Sequence, residues 1–339
     1  MNTSGETQTR RRAVRRRVLL KLMLYIFAVV FLLFTALCFY VTQPVWVGKG
    51  KQGGAIDPKR LEAHVRTLSE SLSPRDESRP ENLDRVAAYI RREFESAGGR
   101  LSEQSYQVGG RTYRNVIATF GAETNERIVV GAHYDAAGPL PGADDNASGV
   151  AGLIELAHLL GKGNTPVKVE LVAYTLEEPP FFRSEFMGSA VHARALKKEG
   201  ARVRAMFSLE MIGYFSDAPG SQRFPISLLR LFYPTEGNFI SVVGKVGQGL
   251  LVRRIKGAML EASSVPVYSI SAPWSIPGVD FSDHSNYWEV GYPAVMITDT
   301  AFYRNPNYHT AADTAEKLDY ERMAQVVEGV HAAVNELSR

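Results

Sequence analysis

The 339-residue sequence holds one cysteine, Cys38, and that residue lies inside an apolar run. A disulfide framework is therefore excluded, and so is a metal site built on thiolates. Any ion bound by the rest of the chain must be held by His, Asp and Glu. Positive charge is also scarce beyond the first 21 residues. Those residues carry Arg10, Arg11, Arg12, Arg15, Arg16, Arg17 and Lys21 against Glu6, which leaves 32 basic and 35 acidic residues elsewhere. A domain with that balance has no net attraction for nucleic acid, and none is expected as a partner. No internal repeat is present, and no low-complexity tract beyond the basic leader. With 45% hydrophobic and 22% charged residues the composition is that of a globular chain. The nearly 290 residues after the leader and its apolar run can bury a large core without covalent staples.

There is one long hydrophobic run. Leu22 to Thr42 contains no charge, and its 21 residues reach roughly 30 Å as a helix, the thickness of a bilayer core. A cleaved signal peptide has a shorter apolar region and a small-residue cleavage site. Here Phe39, Tyr40, Gln43 and Pro44 stand where that site would be, so a retained anchor is expected. The basic residues before it should stay in the cytoplasm and send the rest of the chain to the periplasmic or extracellular side. The expected organisation is a basic cytoplasmic leader (1–21), a transmembrane helix (22–42), a linker (43–56, flexible at Lys49–Gly54) and one catalytic domain (57–339).

Beyond the linker, helical spacing appears at Pro58–Leu72 and Pro80–Ala97. A hairpin is expected at Gln104–Val108 and Tyr113–Phe120 around Gly109–Gly110. Strands then alternate with helices. Strand patterns occupy Arg127–Ala132, Val167–Tyr174, Met206–Met211, Ile240–Val246 and Ala294–Asp299. Helical patterns occupy Ala147–Leu160, Met187–Glu199, Leu250–Ala262 and Asp313–Leu337. The alternation predicts a three-layer α/β fold, a mixed and mostly parallel sheet with helices on both faces.

The polar clusters fall where strands end, which is where such sheets bind ligands. His133 and Asp135 end one strand. Their spacing projects both to one side of an extended chain, and a carboxylate can orient an imidazole whose other nitrogen binds a metal. Asp144-Asp145-Asn146 precedes a helix. One acid there serves as an N-cap, but three polar residues in a row exceed that need. Glu177 and Glu178 follow a strand. Two adjacent carboxylates suit a division in which one binds a metal and the other takes a proton from metal-bound water. Glu210 lies in an apolar run, where an unpaired carboxylate is costly. Tyr308-His309-Thr310 lies in a polar loop. Together these residues supply two imidazoles, three candidate carboxylate ligands and a spare Glu. That set suits two zinc ions roughly 3.5–4 Å apart, sharing one carboxylate.

In this combination and order, His133-Tyr134-Asp135, Gly142 to Gly149, Leu176-Glu177-Glu178, Glu210-Met211-Ile212-Gly213 and Tyr308-His309-Thr310 resemble the M28 peptidase family, the zinc aminopeptidases and their relatives. The resemblance runs from about Leu61 to Leu337. It implies that Asp145 bridges two zinc ions, with Glu178 and His309 on one and His133 and Glu210 on the other. It further implies that Glu177 is the general base, that Asp135 orients His133, and that Tyr308 helps to polarise the scissile carbonyl. Many relatives have Asp where this chain has Glu210. Asp283 and His284, in Ser282-Asp283-His284, resemble a pocket segment, and the segment is expected either to face substrate or to support the metal ligands from behind. His64, His158, His192 and His331 sit in helical patterns and read as structural. The function so implied is that of a membrane-anchored di-zinc exopeptidase, an aminopeptidase acting on peptide or protein N-termini. The alternatives are a glutaminyl cyclase-like enzyme with one zinc and a catalytically inactive binding ectodomain.

Overall fold

The computed structural model describes residues 3–46, 48 and 53–339. Part of the expected flexible linker, residues 49–52, lies outside the described residues. Helix α1 (Thr3–Thr42) contains the apolar run and extends back through the basic leader. Within its Thr9–Thr42 portion an 18-residue stretch has a mean hydropathy of 2.7, and none of that stretch is buried. Among the described residues it is the one helix long and apolar enough to cross a membrane. The chain that follows is not a free tether throughout. Gln43 is buried, and the amides of Gly54, Ala55 and Ile56 donate to Glu328 Oε1.

Helix α2 (Pro58–Arg66) starts where Asp57 accepts the Lys59 amide and Pro58 presets the first turn. A wider turn continues it to Ser71. Helix α3 (Pro80–Ser96) again opens on proline. It presents Leu83, Val86, Ala87, Ile90 and Phe94, all buried at helical spacing. The hairpin of β1 (Arg100–Val108) and β2 (Arg111–Phe120) turns at Gly109–Gly110. There follow β3 (Glu126–His133), α4 (Gly149–Gly161), β4 (Lys168–Tyr174), α5 (Gly188–Lys198), β5 (Arg202–Glu210), β6 (Ile240–Lys245), α6 (Gly249–Ala262), β7 (Val267–Ala272), α7 (His284–Glu289), β8 (Ala294–Thr298) and α8 (Tyr320–Ser338).

The eight strands form one sheet in the order β1-β2-β4-β3-β5-β8-β6-β7. The central run β4-β3-β5-β8 is parallel, whereas β2 against β4 and β6 against β8 are antiparallel. Side chains alternate across the pleat. Ile128 and Val130 of β3 join the core beneath α2, α3, α4, α6 and α8, and Val129 joins the core beneath α5 and α7. Each fully buried Leu or Ile, such as Leu153 and Ile154, contributes about 1.5–3 kcal/mol of burial free energy. The three-layer mixed sheet anticipated from the sequence is present.

Three elements differ from expectation. The last helix begins at Tyr320, not Asp313, because Asp319 caps it by accepting the Arg322 amide and residues 315–317 form a separate tight turn. Strand β7 and the short α7 have no counterpart among the patterns read from the sequence. In β7 the buried positions include Ser269 and Ser271, while Tyr268 and Ile270 are only partly covered, so the alternation carries the wrong polarity for an inward face.

Candidate metal centre

Four parallel neighbours deliver their C-terminal ends to one edge of the sheet. Register places His133 beside Tyr174, Gly131 beside Ser208, and Glu210 beside Thr298. The residues that leave β4 (Glu177, Glu178), the last residue of β3 (His133) and the last of β5 (Glu210) therefore meet. Two loops complete the cluster, Ala143–Ser148 ahead of α4 and the Thr300–Thr310 segment after β8. All the acidic members and His133 are buried, while His309 closes the outer side with its side chain about one-third exposed.

Each residue of Asp144-Asp145-Asn146 has a separate task. Asp144 accepts the Gly213 amide at 3.0 Å and the Asn305 side-chain amide at 2.8 Å. Asn146 donates to the Leu209 carbonyl at 2.8 Å and accepts the Gly149 and Met211 amides, both at 3.1 Å, which ties the loop to the end of β5. A side chain at Gly149 would lie 2.6 Å from the Leu209 carbonyl, so glycine is what lets α4 start this close to β5. Asp145 is left to face the cluster. Its Oδ1 is 3.4 Å from His133 Nε2 and its Oδ2 is 3.0 Å from His309 Nε2.

The remaining distances fall into two sets around that carboxylate. Glu210 Oε1 is 3.5 Å from His133 Nε2, and Glu178 Oε2 is 3.4 Å from His309 Nε2. The donor groups able to hold an ion are His133, Asp145 and Glu210, then Asp145, Glu178 and His309, and also His133, Glu177 and Glu178, with the ligand atoms of each within 4.8 Å of one another. Donors about 2.0–2.2 Å from a tetrahedral zinc lie roughly 3.4 Å apart, and the first two groups match that spacing. His133 Nε2 and Glu178 Oε1 are buried without hydrogen-bond partners, which is costly unless a cation completes them. The residues present therefore fit two ions on a shared Asp145.

The electrostatics follow from five carboxylates packed around two imidazoles. Burial opposes charge on His133, but Glu210, Glu177, Asp135 and Asp145 outweigh it and hold its pKa well above 6.5. Burial likewise opposes charge on His309, yet Asp145 and Glu178 carry its pKa to about 10. Glu178 is pushed up to about 7 by burial and Asp145, with His309 resisting. Glu177 rises well above the usual carboxylate range through burial, which His133 offsets in part and Glu210 and Glu178 reinforce. Its Oε2 lies 3.9 Å from His133 Nε2.

Asp135 grips two members of the cluster. Its carbonyl is 3.2 Å and its Oδ1 3.6 Å from His133 Nδ1, and its Oδ2 accepts the Glu178 amide at 3.0 Å. Tyr308 stacks on His309, with ring centroids 3.8 Å apart. Tyr308 and Glu210 also border an apolar cavity of about 880 Å³, counting the solvent at its mouth. Phe224, Leu229, Tyr233, Phe239, Ile276 and Phe302 are among its walls.

A scan against family models matches residues 115–334 to "Peptidase family M28". The chain belongs to peptidase family M28. The match spans every residue of the cluster. Among curated proteins, this M28 chain is 49% identical to YfbL of Escherichia coli (strain K12), itself uncharacterised, over 80% of this chain and 86% of that one. It is 26% identical to leucine aminopeptidase 1 of Ajellomyces capsulatus (strain NAm1 / WU24), over 81% and 74%. Among solved structures, a zinc aminopeptidase from Bacillus subtilis superposes with a TM-score of 0.66 at 16% identity, covering 82% of this chain and 94% of that one. A glutaminyl cyclase from Bacteroides thetaiotaomicron superposes with a TM-score of 0.63 at 17% identity, covering 84% and 99%.

Within the M28 domain, the Ser282-Asp283-His284 segment does not line the cavity and takes the supporting place, with Ser282 bonded to Glu210. Asp283 and His284 are fully buried and are not among the walls of the cavity. His284 Nε2 donates to the Val279 carbonyl at 2.8 Å, and its ring meets Trp288 edge-on. Burial pushes Asp283 up to about 7 and His284 down to about 4. His64, His158, His192 and His331 belong to none of the donor groups among the described residues.

Three further residues support the cluster, and sequence reasoning points only to the segment that contains Ser282. Ser282 donates to Glu210 Oε2 at 2.6 Å. Asp313 accepts the Asp144 and Asp145 amides at 3.0 and 3.1 Å. Arg75, fully buried, donates to the carbonyls of Pro141 and Gly142 and, at 3.3 Å, of Leu68. Apart from the Arg75–Leu68 bond, their tasks depend on partners 66 to 169 residues away, which local sequence does not signal.

Proposed function

We propose that this M28 protein is a membrane-anchored di-zinc exopeptidase, an aminopeptidase that hydrolyses the first peptide bond of peptide or protein N-termini. The observation that carries the reading is Asp145, whose two oxygens face two different imidazoles. His133, Asp145 and Glu210 would hold one zinc, and Asp145, Glu178 and His309 the other. Zinc held there would supply Lewis acidity, lowering the pKa of a bound water from 15.7 towards about 7 and polarising a carbonyl.

The protein's own groups do the rest. Glu177, with its raised pKa, is suited to take a proton at Oε2 and return it to the departing amine. Asp135 fixes the ring of His133 and, through the Glu178 amide, the backbone beside the base. Burial, with Asp145 and Glu178, raises the Tyr308 pKa, so its hydroxyl stays protonated and can donate to the carbonyl oxygen as charge develops. The apolar cavity next to Tyr308 and Glu210 suits an apolar side chain beside the scissile bond. The names of the fungal relative and the Bacillus structure favour aminopeptidase over other exopeptidases.

Residues 57–339 form the peptidase domain in this reading, and residues 22–42 the span. The basic residues 10–21 keep the N-terminus cytoplasmic and put the domain on the periplasmic or extracellular side. Similarity to the Bacteroides structure supports a second reading, cyclisation of N-terminal glutamine with one zinc. The purified full chain decides between them. Two zinc ions per chain and release of N-terminal residues support the peptidase, and ring closure of Gln-initiated peptides without hydrolysis supports the cyclase. Glu177→Gln should lower kcat by roughly 10²–10⁴-fold with zinc retained, and near-normal turnover in that variant would remove the base assignment.

A further inference from the structure

Helix α1 does not leave the domain as a loose tether. Lys256 Nζ donates to the Thr42 and Gln43 carbonyls at 3.0 and 3.4 Å, and Ser269 donates to Thr42 at 2.9 Å. The Gly247 amide donates to the Tyr40 hydroxyl at 3.1 Å. These bonds clamp the end of the helix onto β7, the middle of α6 and the turn between β6 and α6. A second contact lies further back along the helix. The Phe34 ring is 5.9 Å from Phe232, and Phe34 precedes Thr42 by about 12 Å of helix.

Phe232 ends a short turn, Ser227–Leu231, that carries unusual exposure. Ile226, Leu228 and Leu231 are 45%, 57% and 73% exposed. Large apolar residues grouped this way mark an interaction surface. The patch adjoins a helix whose own apolar residues are exposed at the same level. Arg230, also exposed, has a stem long enough to carry its charge towards headgroups. Trp46, 76% exposed and 6.3 Å from Phe39, lies just past the end of the helix, where aromatic belts occur.

From this geometry we infer that Ile226–Phe232 is a membrane wedge: it enters the acyl region of the outer leaflet beside α1, and lipid is its occupant. The inference rests on the reading of α1 as an anchor. If Leu22–Thr42 fills the hydrocarbon, the Phe34–Phe232 contact sets the wedge at hydrocarbon depth. Leu229 and Tyr233, within or next to the same turn, wall the apolar cavity that reaches Glu210 and Tyr308. The wedge thus places one wall of the substrate cavity against the bilayer, which suits peptides that are themselves membrane-bound.

The test uses the full chain with Cys38→Ser in lipid nanodiscs. Single cysteines replace Leu231, Phe27 in the middle of α1, or Gln107 on the far edge of the sheet, and each carries an environment-sensitive fluorophore. Brominated acyl chains are the probe. Expected is loss of fluorescence at positions 231 and 27 and none at 107. Quenching at 27 without quenching at 231 overturns the wedge and leaves the anchor standing. No quenching at 27 removes the anchor reading and the wedge with it. Quenching at 107 equal to that at 231 also overturns the wedge, since lipid contact would not be confined to it.

Discussion

Ser282 holds Glu210 by one oxygen: its hydroxyl donates to Oε2 at 2.6 Å, which leaves Oε1 facing His133 at 3.5 Å. Ser208, two residues before Glu210, lies 2.7 Å from the same hydroxyl. The Glu210 side chain is thus pinned, and its free oxygen points at His133. Ser282→Ala should loosen the His133–Glu210 ion by roughly 10–100-fold, the usual cost of losing an outer partner, and leave the other ion in place. A zinc titration that still resolves two tight sites in the variant would discard this role for Ser282.

Asp145→Asn should damage both sites together. Zinc binding should fall by more than the roughly 10–100-fold cost of losing an outer partner, and peptide hydrolysis should disappear with it. Metal analysis after dialysis measures this directly. Retention of two ions per chain would mean that Asp145 is not shared.

Arg75 braces the metal-facing loop from behind. Arg75→Met removes the donor from several buried carbonyls, each of which then costs about 1–3 kcal/mol. The expected result is a clear drop in thermal midpoint and a fall in zinc affinity, because the Pro141–Asp145 backbone loses its support. An unchanged melting curve would show that the arginine is dispensable to the loop.

His192 sets part of the acid sensitivity. Burial, helped by Arg127, pushes its pKa down from 6.5 to about 3, and Nδ1 lies 2.6 Å from the Tyr287 hydroxyl. Below pH 6.5 the unfolded chain takes up a proton that the folded chain refuses. The stability tied to this group is therefore complete above 6.5 and is lost progressively as pH falls towards 3. His192→Gln should flatten the pH dependence of unfolding in that window by up to about 1.4 kcal/mol per pH unit. Identical slopes for variant and wild type would show that the ring does not stay neutral in the fold.

Much of this was legible along the chain. Helix starts at Pro58 and Pro80, the Gly109–Gly110 turn and the central strands each follow from side-chain period and turn chemistry, which are local properties. The same locality misled at the C-terminus. Asp313 and the residues after it read as the head of a helix, but Asp319 offers the better cap, and Asp313 is drawn away to the Asp144 and Asp145 amides. Strand β7 was missed because two of its inward positions hold serines, Ser269 and Ser271, the first bonded to the end of α1.

The order of His133, Asp145, Glu177, Glu178, Glu210 and His309 is written in the sequence, and so is the placing of His133, Glu177, Glu178 and Glu210 at or just past strand ends, because a strand's terminus is set by the residues on either side of it. Which oxygen of Asp145 faces which imidazole, which oxygen of Glu210 is free, and what lies beside the outer half of α1 were decided only by the tertiary structure. Those relationships join residues separated by tens to hundreds of positions. They arise from parallel strand register and from where loops land on it, and no local period in the chain encodes either.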